Sequence, residues 1–259
     1  MNQRKRRLKF RFVASLALSL ALLPAVSLGE TKTGQGSVPA APQVDLEGAI
    51  HDYILAHPEV LIESLQRAKR KQEERIAAST KSLIQSYQKD LVEDPNSPVL
   101  GNPKGNVTLV EFFDYRCPYC KQMDPLLQNL TRIDPEVRIV QKQYPILGPQ
   151  SALAARAALA ANKQGKYLQF HDAAMAKRQN LDEAGVFAIA ETIGLDLNRL
   201  KTDMASPEIE GEIAKTFQIA KELRLTGTPA FIVGSELIPG ATDFETLRAV
   251  VEDARRQIH

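Results

Sequence analysis

The sequence lacks a strong excess of charge of either sign. Its 33 lysine and arginine residues nearly balance 31 aspartate and glutamate residues, which leaves a formal net charge of +2. No overall electric field therefore indicates a nucleic acid or a membrane surface as the partner. With 259 residues and 44% hydrophobic side chains, the chain is long enough for one large domain, or for one domain and an appendage.

The N-terminal region lacks an apolar run long enough to span a membrane. Residues 12–26 are almost wholly apolar, but they fall short of the roughly 20 residues that a spanning helix needs. The preceding segment contains several lysine and arginine residues and no acid, and small residues such as Ser27 and Gly29 offer cleavage sites. This layout predicts a secretory signal peptide over residues 1–29, with an uncleaved inner-membrane anchor as the alternative.

Cysteine is scarce. Only Cys117 and Cys120 are present, although an exported protein usually uses its cysteines for structural bridges. A bridge between them closes too small a loop to constrain the unfolded chain much. The chain's histidines do not form a spaced pair that would complete a zinc site; they are His51, His57, His171 and His259. The pair is therefore predicted to be redox-active, with a passive local disulfide as the alternative.

Two segments separate the signal from the main domain. Residues 30–44 are rich in small and polar residues without apolar periodicity, which predicts a flexible linker. Residues 45–93 show helical periodicity in at least two pieces, with a strongly polar stretch over residues 66–75 that indicates a solvated helix. Apolar residues ahead of that stretch favour packing against a second copy of the chain. The alternative is a helix folded back on its own domain.

Turn-rich sequence near residues 94–106 marks the start of the main domain, residues 94–259. Its predicted elements are a strand over 107–113, a helix over 118–133, a strand over 137–144, helices within about 150–223, a hairpin over 230–233 and 236–238, and a closing helix over 243–257. The predicted fold class is α/β, in the order β-α-β, helical insertion, β-β-α.

The Cys117-Pro118-Tyr119-Cys120 sequence lies where a predicted strand ends and a helix begins. The unpaired N–H groups and the positive dipole end of that helix favour the thiolate of Cys117. We expect Cys117 to be the exposed nucleophile and Cys120, one turn into the helix, to be the shielded resolving thiol. Pro118 suits the first helical position because no useful N–H is lost there.

Residues 112–121, FFDYRCPYCK, resemble the active-site segment of the DsbA family of periplasmic disulfide oxidoreductases. The similarity continues through YPILGP at 144–149 and TGTPAF at 226–231, and it covers roughly residue 97 to the C-terminus. AHPEV at 56–60, ahead of SPVLGNP at 97–103, resembles the branch of Com-type outer-membrane immunogens and oligomeric DsbA-like proteins with an N-terminal helical extension. The resemblance implies a thioredoxin fold with a helical insertion.

The resemblance also implies roles for individual residues. Pro229 matches the cis-proline that faces the active-site cysteines, and Thr228 precedes it as in isomerase-like members; with Pro118 and Tyr119 they would bind substrate. Glu111 matches a buried acid that exchanges a proton with Cys120, and Lys142 on the next strand is expected near it; a strand-edge ion pair is the alternative. Asp114 and Arg116 are expected to face solvent at the rim.

The function that the resemblance implies is formation or isomerisation of disulfides in exported proteins that contain cysteine. A membrane partner, either a quinone-linked oxidase or a reductase, would restore the active state. A dedicated oligomeric isomerase is the first alternative, and an envelope adhesin on a thioredoxin-fold scaffold is the second. The expected location is the periplasm, with association with the outer membrane as a further option. No cofactor, metal or nucleic acid is expected.

Overall fold

The computed structural model describes residues 45–177 and 181–258. The predicted signal peptide (1–29) and linker (30–44) lie outside these residues. The chain divides into two compact units between His57 and Pro58. In the first unit, helix α1 spans Leu46–Ala56, and the Asp45 carboxylate accepts a hydrogen bond from the Gly48 N–H at 3.0 Å, which caps the helix. In the part of the chain that the structure describes, no helix is long and apolar enough to cross a membrane.

The second unit contains the remaining elements. In chain order they are α2 (Pro58–Ser86), α3 (Gln88–Val92), β1 (Val99–Gly101), β2 (Val107–Phe113), α4 (Pro118–Ile133), β3 (Val137–Gln143), α5 (Pro149–Lys163), α6 (Tyr167–Ala176), α7 (Glu183–Thr192), α8 (Leu197–Met204), α9 (Pro207–Glu222), β4 (Ala230–Val233), β5 (Glu236–Pro239) and α10 (Phe244–Ile258). The predicted order β-α-β, helical insertion, β-β-α is confirmed.

The strands form one five-stranded sheet in the order β1-β3-β2-β4-β5. Strands β2 and β3 are parallel, because α4 crosses between them, and the other neighbours are antiparallel. Strand β1 was not predicted. It is three residues long, too short to show an alternating pattern, and it lies in sequence that reads as turns; its pairing with Val140, Ile139 and Arg138 of β3 defines it.

The two faces of the sheet support separate hydrophobic clusters. Leu109 and Phe113 of β2 face a large cluster that contains α4, α10 and most of the helical insertion. Val110 and Phe112 face a smaller cluster with the end of α2, α3 and the end of α9. Successive residues of a strand point to opposite faces, so the strand register decides which side chains meet the cysteines.

The N-terminal helices follow the sequence pattern. The helical region breaks at His57, and Pro58 begins α2 as expected from the position of proline in a first turn. Residues 66–75 are all exposed, as predicted for a solvated helix. Near its C-terminal end α2 buries Ile84, which contributes to the smaller cluster of the sheet.

Candidate active site

Cys117 occupies the junction between β2 and α4. It is the N-cap residue of α4, and Pro118 takes the first helical position. Its N–H donates to the carbonyl oxygen of Asp114 at 3.0 Å, which closes the turn after the strand. The Asp114 carboxylate accepts hydrogen bonds from the N–H groups of Arg116 and Leu147 at 2.7 and 3.0 Å. The expectation that Asp114 faces solvent was wrong, because the buried carboxylate joins the active-site turn to the loop after β3.

Both cysteines are free thiols with little exposed surface. Cys117 exposes 5% of its surface and Cys120 exposes none, whereas the intervening Pro118 and Tyr119 are exposed. Cys117 is therefore less accessible than expected for a nucleophile. As a thiol it donates to the carbonyl oxygen of Thr228 at 3.2 Å, so the loop before β4 covers the sulfur.

The two thiols differ in acidity. A hydrogen bond from the Cys120 thiol is the main cause that lowers the pKa of Cys117 to about 5; the Thr228 side chain and the N–H groups of Cys120 and Tyr119 add to it, against the effect of burial. Burial raises the pKa of Cys120, and its hydrogen bond to Cys117 and the nearby Glu111 act in the same direction. The predicted difference in acidity between the two thiols is therefore present. The Cys120 thiol lowers the pKa of Cys117 more than the helix N–H groups do.

Glu111 lies on the same sheet face as the cysteines and is 1% exposed. The Gln141 side-chain amide donates to its Oε2 at 2.7 Å, while Oε1 accepts no hydrogen bond from the described residues. Burial is the main cause that raises the pKa of Glu111 to about 8. At neutral pH this carboxyl group holds a proton close to Cys120.

The expected approach of Lys142 to Glu111 was wrong. Glu111 pairs in register with Gln141, so Lys142 points to the opposite face of the sheet. There its buried ammonium donates to Ser97 at 2.6 Å and lies 3.2 Å from Asp94 and 3.5 Å from Glu212. Lys142 therefore ties β3 to the segment before β1 and to α9, and the partner of Glu111 is a neutral amide.

The Thr228–Pro229 peptide bond is cis, as the family resemblance implied. Pro229 is buried, Thr228 is partly exposed, and the Pro229 carbonyl oxygen accepts a hydrogen bond from the Gly240 N–H at 2.9 Å. Beside this loop is a cavity of about 260 Å³ that Thr226, Gly227 and Leu237 help to line. The structure thus places the predicted substrate-binding loop directly against Cys117.

A buried polar group was missed by the sequence analysis. His171 of α6 is 1% exposed, and its Nε2 lies 3.1 Å from the Asp124 carboxylate on α4, one turn after Cys120. The two residues are 47 positions apart and belong to no motif, so the sequence carried no signal that they meet.

Comparison with known protein families shows which family this chain belongs to. The model of the DSBA-like thioredoxin domain matches residues 108–252, which is more than half of the chain. The chain belongs to the DSBA-like thioredoxin domain family. The thioredoxin fold with a helical insertion is therefore confirmed. A second family model, the N-terminal domain of the copper resistance protein ScsC, matches residues 43–75 of this DSBA-like chain.

Individual relatives agree with this assignment. A thioredoxin-like oxidoreductase from Silicibacter pomeroyi DSS-3 is 48% identical, with a TM-score of 0.63, over 65% of this chain and 97% of its own. A linker-deletion mutant of Proteus mirabilis ScsC is 28% identical, with a TM-score of 0.66, over 86% and 100%. The Na(+)/H(+) antiporter NhaA 3 of Salinispora tropica is 33% identical over 165 residues, 63% of this chain. The DSBA-like chain spans about a quarter of the length of the curated relatives that it matches first.

The acidity of Cys117 gives a direct test of the site. In the reduced protein, the ultraviolet absorbance of the thiolate should appear with a midpoint near pH 5. Cys120→Ala removes the main hydrogen-bond donor and should raise that midpoint by about one pH unit or more. Cys120→Ser, which keeps a donor, serves as the matched control with a smaller change. A wild-type midpoint near the ordinary thiol value of about 8.5 would contradict the geometry.

Proposed function

We propose that this DSBA-like protein is a thiol:disulfide oxidoreductase that forms or isomerises disulfides in exported proteins through Cys117 and Cys120. The observation that carries the proposal is the acidic Cys117 thiol at the start of α4, held against the cis-proline loop at Thr228. A group with this acidity is a thiolate at neutral pH, and a thiolate is both the attacking and the leaving group of disulfide exchange.

The exchange proceeds in two steps. A substrate thiolate attacks Sγ of Cys117 in the oxidised pair, the bond between Cys117 and Cys120 breaks, and a mixed disulfide forms between the substrate and Cys117. A second substrate thiolate then attacks the substrate sulfur of that bond, and Cys117 leaves as a thiolate. The two steps together transfer one electron pair, so the substrate is oxidised to a disulfide and the Cys117–Cys120 pair is reduced. The low pKa of Cys117 favours the second step, because a weakly basic thiolate is a good leaving group.

Glu111 supplies the proton that the first step requires. Cys120 leaves as a thiolate in a buried site, where burial raises its pKa and makes the charged form costly. Glu111, whose pKa is raised to about 8, is protonated at neutral pH and donates to that thiolate. The reverse transfer serves the reductive direction. Lys142 takes no part, because it lies on the other sheet face.

The substrate binds in extended form across the exposed surface around Cys117. Tyr119 exposes 57% of its surface beside the sulfur, and Thr228 is partly exposed on the opposite side. A proline at residue 229 has no N–H, so an extended substrate pairs with the backbone of Thr228, whose carbonyl oxygen is released when the Cys117 sulfur no longer carries a proton. Pro118 and Tyr119 provide an apolar contact for the side chains that flank the reacting cysteine.

The proposed location is the periplasm, where newly exported chains present their cysteines. A membrane partner restores the active state; a quinone-linked oxidase would serve disulfide formation, and a reductase would serve isomerisation. A threonine precedes the cis-proline in isomerase-like members of the family, as Thr228 does here. Isomerisation is therefore the second candidate activity, and Thr228 is the residue that favours it. No observation supports an adhesin, the alternative that does not use the thiols.

The N-terminal helical region (residues 45–93) joins copies of the chain. Large apolar side chains are exposed on α1, and others are exposed along α2; Leu46, Ile50, Tyr53 and Leu55 belong to the first helix, and Leu61, Ile62, Leu65 and Ile76 to the second. Such side chains favour association, since contact with a second copy removes apolar surface from water. The match of residues 43–75 to the ScsC N-terminal domain supports the proposal, because it indicates that this region is a module separate from the thioredoxin domain.

The exchange reaction is tested with an oxidised protein and a reduced peptide that contains two cysteines. We expect peptide oxidation by the wild type and a background rate with Cys117→Ser. Reduced Cys120→Ser, given the oxidised peptide, should form a mixed disulfide on Cys117, because its thiolate attacks the peptide disulfide and no resolving thiol remains; mass spectrometry detects this species. Arg248→Ala, an exposed change on α10, is the control and should match the wild type. Equal rates for wild type and Cys117→Ser would refute the proposal and would favour the scaffold alternative.

The role of Glu111 is tested by the ratio of wild-type to Glu111→Gln rates across pH. Below the pKa of about 8, the wild type holds the proton and the ratio should be roughly 100. As the pH rises through that value Glu111 ionises and the ratio should fall towards one. Dividing the two rates at each pH removes the ionisation of the peptide thiols, which is common to both. A ratio that does not vary with pH would argue against proton transfer.

Association is tested by light scattering on the full chain after removal of any signal. We expect a multiple of the single-chain mass for the wild type, and the single-chain mass for Leu61→Glu combined with Leu65→Glu. Arg67→Glu combined with Lys69→Glu places two new acids in the same exposed helix without touching an apolar side chain, and should leave the mass unchanged. A wild type of single-chain mass would contradict the proposal.

A further inference from the structure

The cavity beside the cis-proline loop carries a single kind of charge. Its volume is about 260 Å³, and Thr228, which lines it, also accepts the hydrogen bond from the Cys117 thiol at 3.2 Å. The cavity therefore lies next to the reacting sulfur. Leu237 and Pro239 of β5, the edge strand of the sheet, supply apolar lining. Of the described residues that line the cavity, only Arg224 is charged.

The backbone of Arg224 adopts a conformation that suits glycine better than arginine. Its φ is +57°, and among the described residues it is the only one other than glycine with a positive φ. The Arg224 N–H donates to the Lys221 carbonyl oxygen at 3.0 Å, and the Leu225 N–H donates to the Ala220 carbonyl oxygen at 2.8 Å, which ends α9. A glycine would form the same helix end with less backbone strain. The reason for an arginine is therefore to be sought in its guanidinium group.

The guanidinium group of Arg224 is exposed and makes no hydrogen bond or ion pair with the residues that the structure describes. Every other described arginine of the thioredoxin domain donates to, or forms an ion pair with, a protein oxygen. Lys221 already places a positive charge in the last turn of α9, so the helix dipole does not require a second one at Arg224. The N–H donors of Arg224 are therefore available to a ligand.

The acidic residues closest to this cavity along the chain do not line it. Glu222 is exposed in the last turn of α9, and Glu236 begins β5, whereas Pro239 at the other end of that strand lines the cavity. Three residues of a strand span about 10 Å, which separates the backbone of Glu236 from that of Pro239. The described lining therefore holds no carboxylate that compensates the charge of Arg224.

We propose that Arg224 binds a carboxylate side chain of the substrate, and that the protein thereby favours exported chains in which an aspartate or a glutamate lies close to the reacting cysteine. The inference rests on the proposed function and names a substrate class for that same site. A guanidinium group binds a carboxylate through two parallel N–H···O hydrogen bonds, which add direction to the attraction between the charges. Leu237 and Pro239 contact the apolar part of the same substrate segment.

The loop between α9 and β4 brings the charge and the reacting sulfur onto one path. Arg224 begins this loop, and Thr228, four residues later, contacts Cys117. An extended substrate advances by about 3.3 Å per residue, and its successive side chains point in opposite directions. The preference for an acid should therefore be strong at one position within a few residues of the cysteine and weak at the positions directly before and after it.

The inference is tested with oxidised protein and reduced peptides that contain two cysteines and are blocked at both ends, so that only a side chain supplies a carboxylate. Each peptide has glutamate, glutamine or lysine at one position near the first cysteine. For the wild type at low salt, kcat/KM of the best glutamate peptide should exceed that of its glutamine counterpart about threefold or more. Arg224→Gln should remove this preference, and Arg224→Glu should favour the lysine peptide instead.

The matched control changes a neighbouring charge outside the cavity. Lys221→Gln removes an equal charge from the last turn of α9 and should keep the preference for glutamate. Each peptide is compared with itself on two proteins, so the effect of its own charge on its thiols cancels. A preference that is the same in the wild type and in Arg224→Gln, or that Lys221→Gln removes to the same extent, would overturn the inference.

Arg224→Gly separates binding of substrate from a structural role. Glycine accepts a positive φ without strain, so this variant should unfold at a urea concentration at least as high as the wild type does, and it should lose the preference for glutamate. A glycine variant that keeps the preference would overturn the inference. Unfolding at a clearly lower urea concentration would assign the arginine to the stability of the fold and would also count against it.

Failure of the inference is distinguishable from failure of the proposed function. If the wild type oxidises none of the peptides, the proposed function fails, and the inference fails with it. If the wild type oxidises all of them at rates that do not depend on the residue near the cysteine, the proposed function stands and the role of Arg224 is refuted.

Discussion

The parallel register of β2 with β3 is the constraint on which the site depends. Glu111 pairs with Gln141, and Phe113 with Gln143, so these four side chains share the face that meets α4. A slip of one residue in either strand would exchange the faces, because successive side chains point to opposite sides. Such a slip would move Lys142 into the site and Gln141 out of it. The backbone hydrogen bonds between β2 and β3 therefore decide which side chains surround the cysteines.

The register separates two buried polar networks of opposite character. On one face the Lys142 ammonium is matched by the carboxylates of Asp94 and Glu212, and the charges compensate within a small space. On the other face Glu111 receives one neutral amide hydrogen bond, and among the described residues no lysine or arginine pairs with it. The loss of hydration on burial therefore destabilises the charged form of Glu111, since no positive charge from these residues offsets it, and the protonated form is favoured. The paired strands β2 and β3 thus carry a structural ion pair on one face and a proton-holding acid on the other.

The two cysteines differ in the pKa of their thiols because their surroundings differ. Cys117 lies where the Cys120 thiol above all, and then Thr228 and the N–H groups at the helix start, favour a negative charge and lower its pKa. Cys120 lies one turn deeper, where the large cluster excludes water and Glu111 disfavours a second charge. Three residues of separation along the chain thus give two buried thiols of different acidity, since one helix turn separates Cys120 from the unpaired N–H groups at the start of α4.

Much of the fold follows from local pattern. The local sequence pattern predicted β2, α4, β3 and the closing helix to within a residue or two, because the strands are short apolar runs buried on both faces and each helix has one face in a continuous core. Strand β1 escaped because three residues between prolines show no period, and only pairing with β3 makes them a strand. The rim position expected for Asp114 was wrong, since a carboxylate beside a tight turn can satisfy backbone N–H groups and be buried.

The sequence by itself determined the redox pair, its position at a strand-to-helix junction, and the family resemblance that implied a cis-proline loop, because these are features of neighbouring residues. Only the tertiary structure decided which groups surround the pair. Glu111 meets Gln141 instead of Lys142, and His171 meets Asp124, through strand register and through the packing of α6 on α4. Contacts between residues far apart in the chain depend on how elements pack, and no local periodicity encodes them.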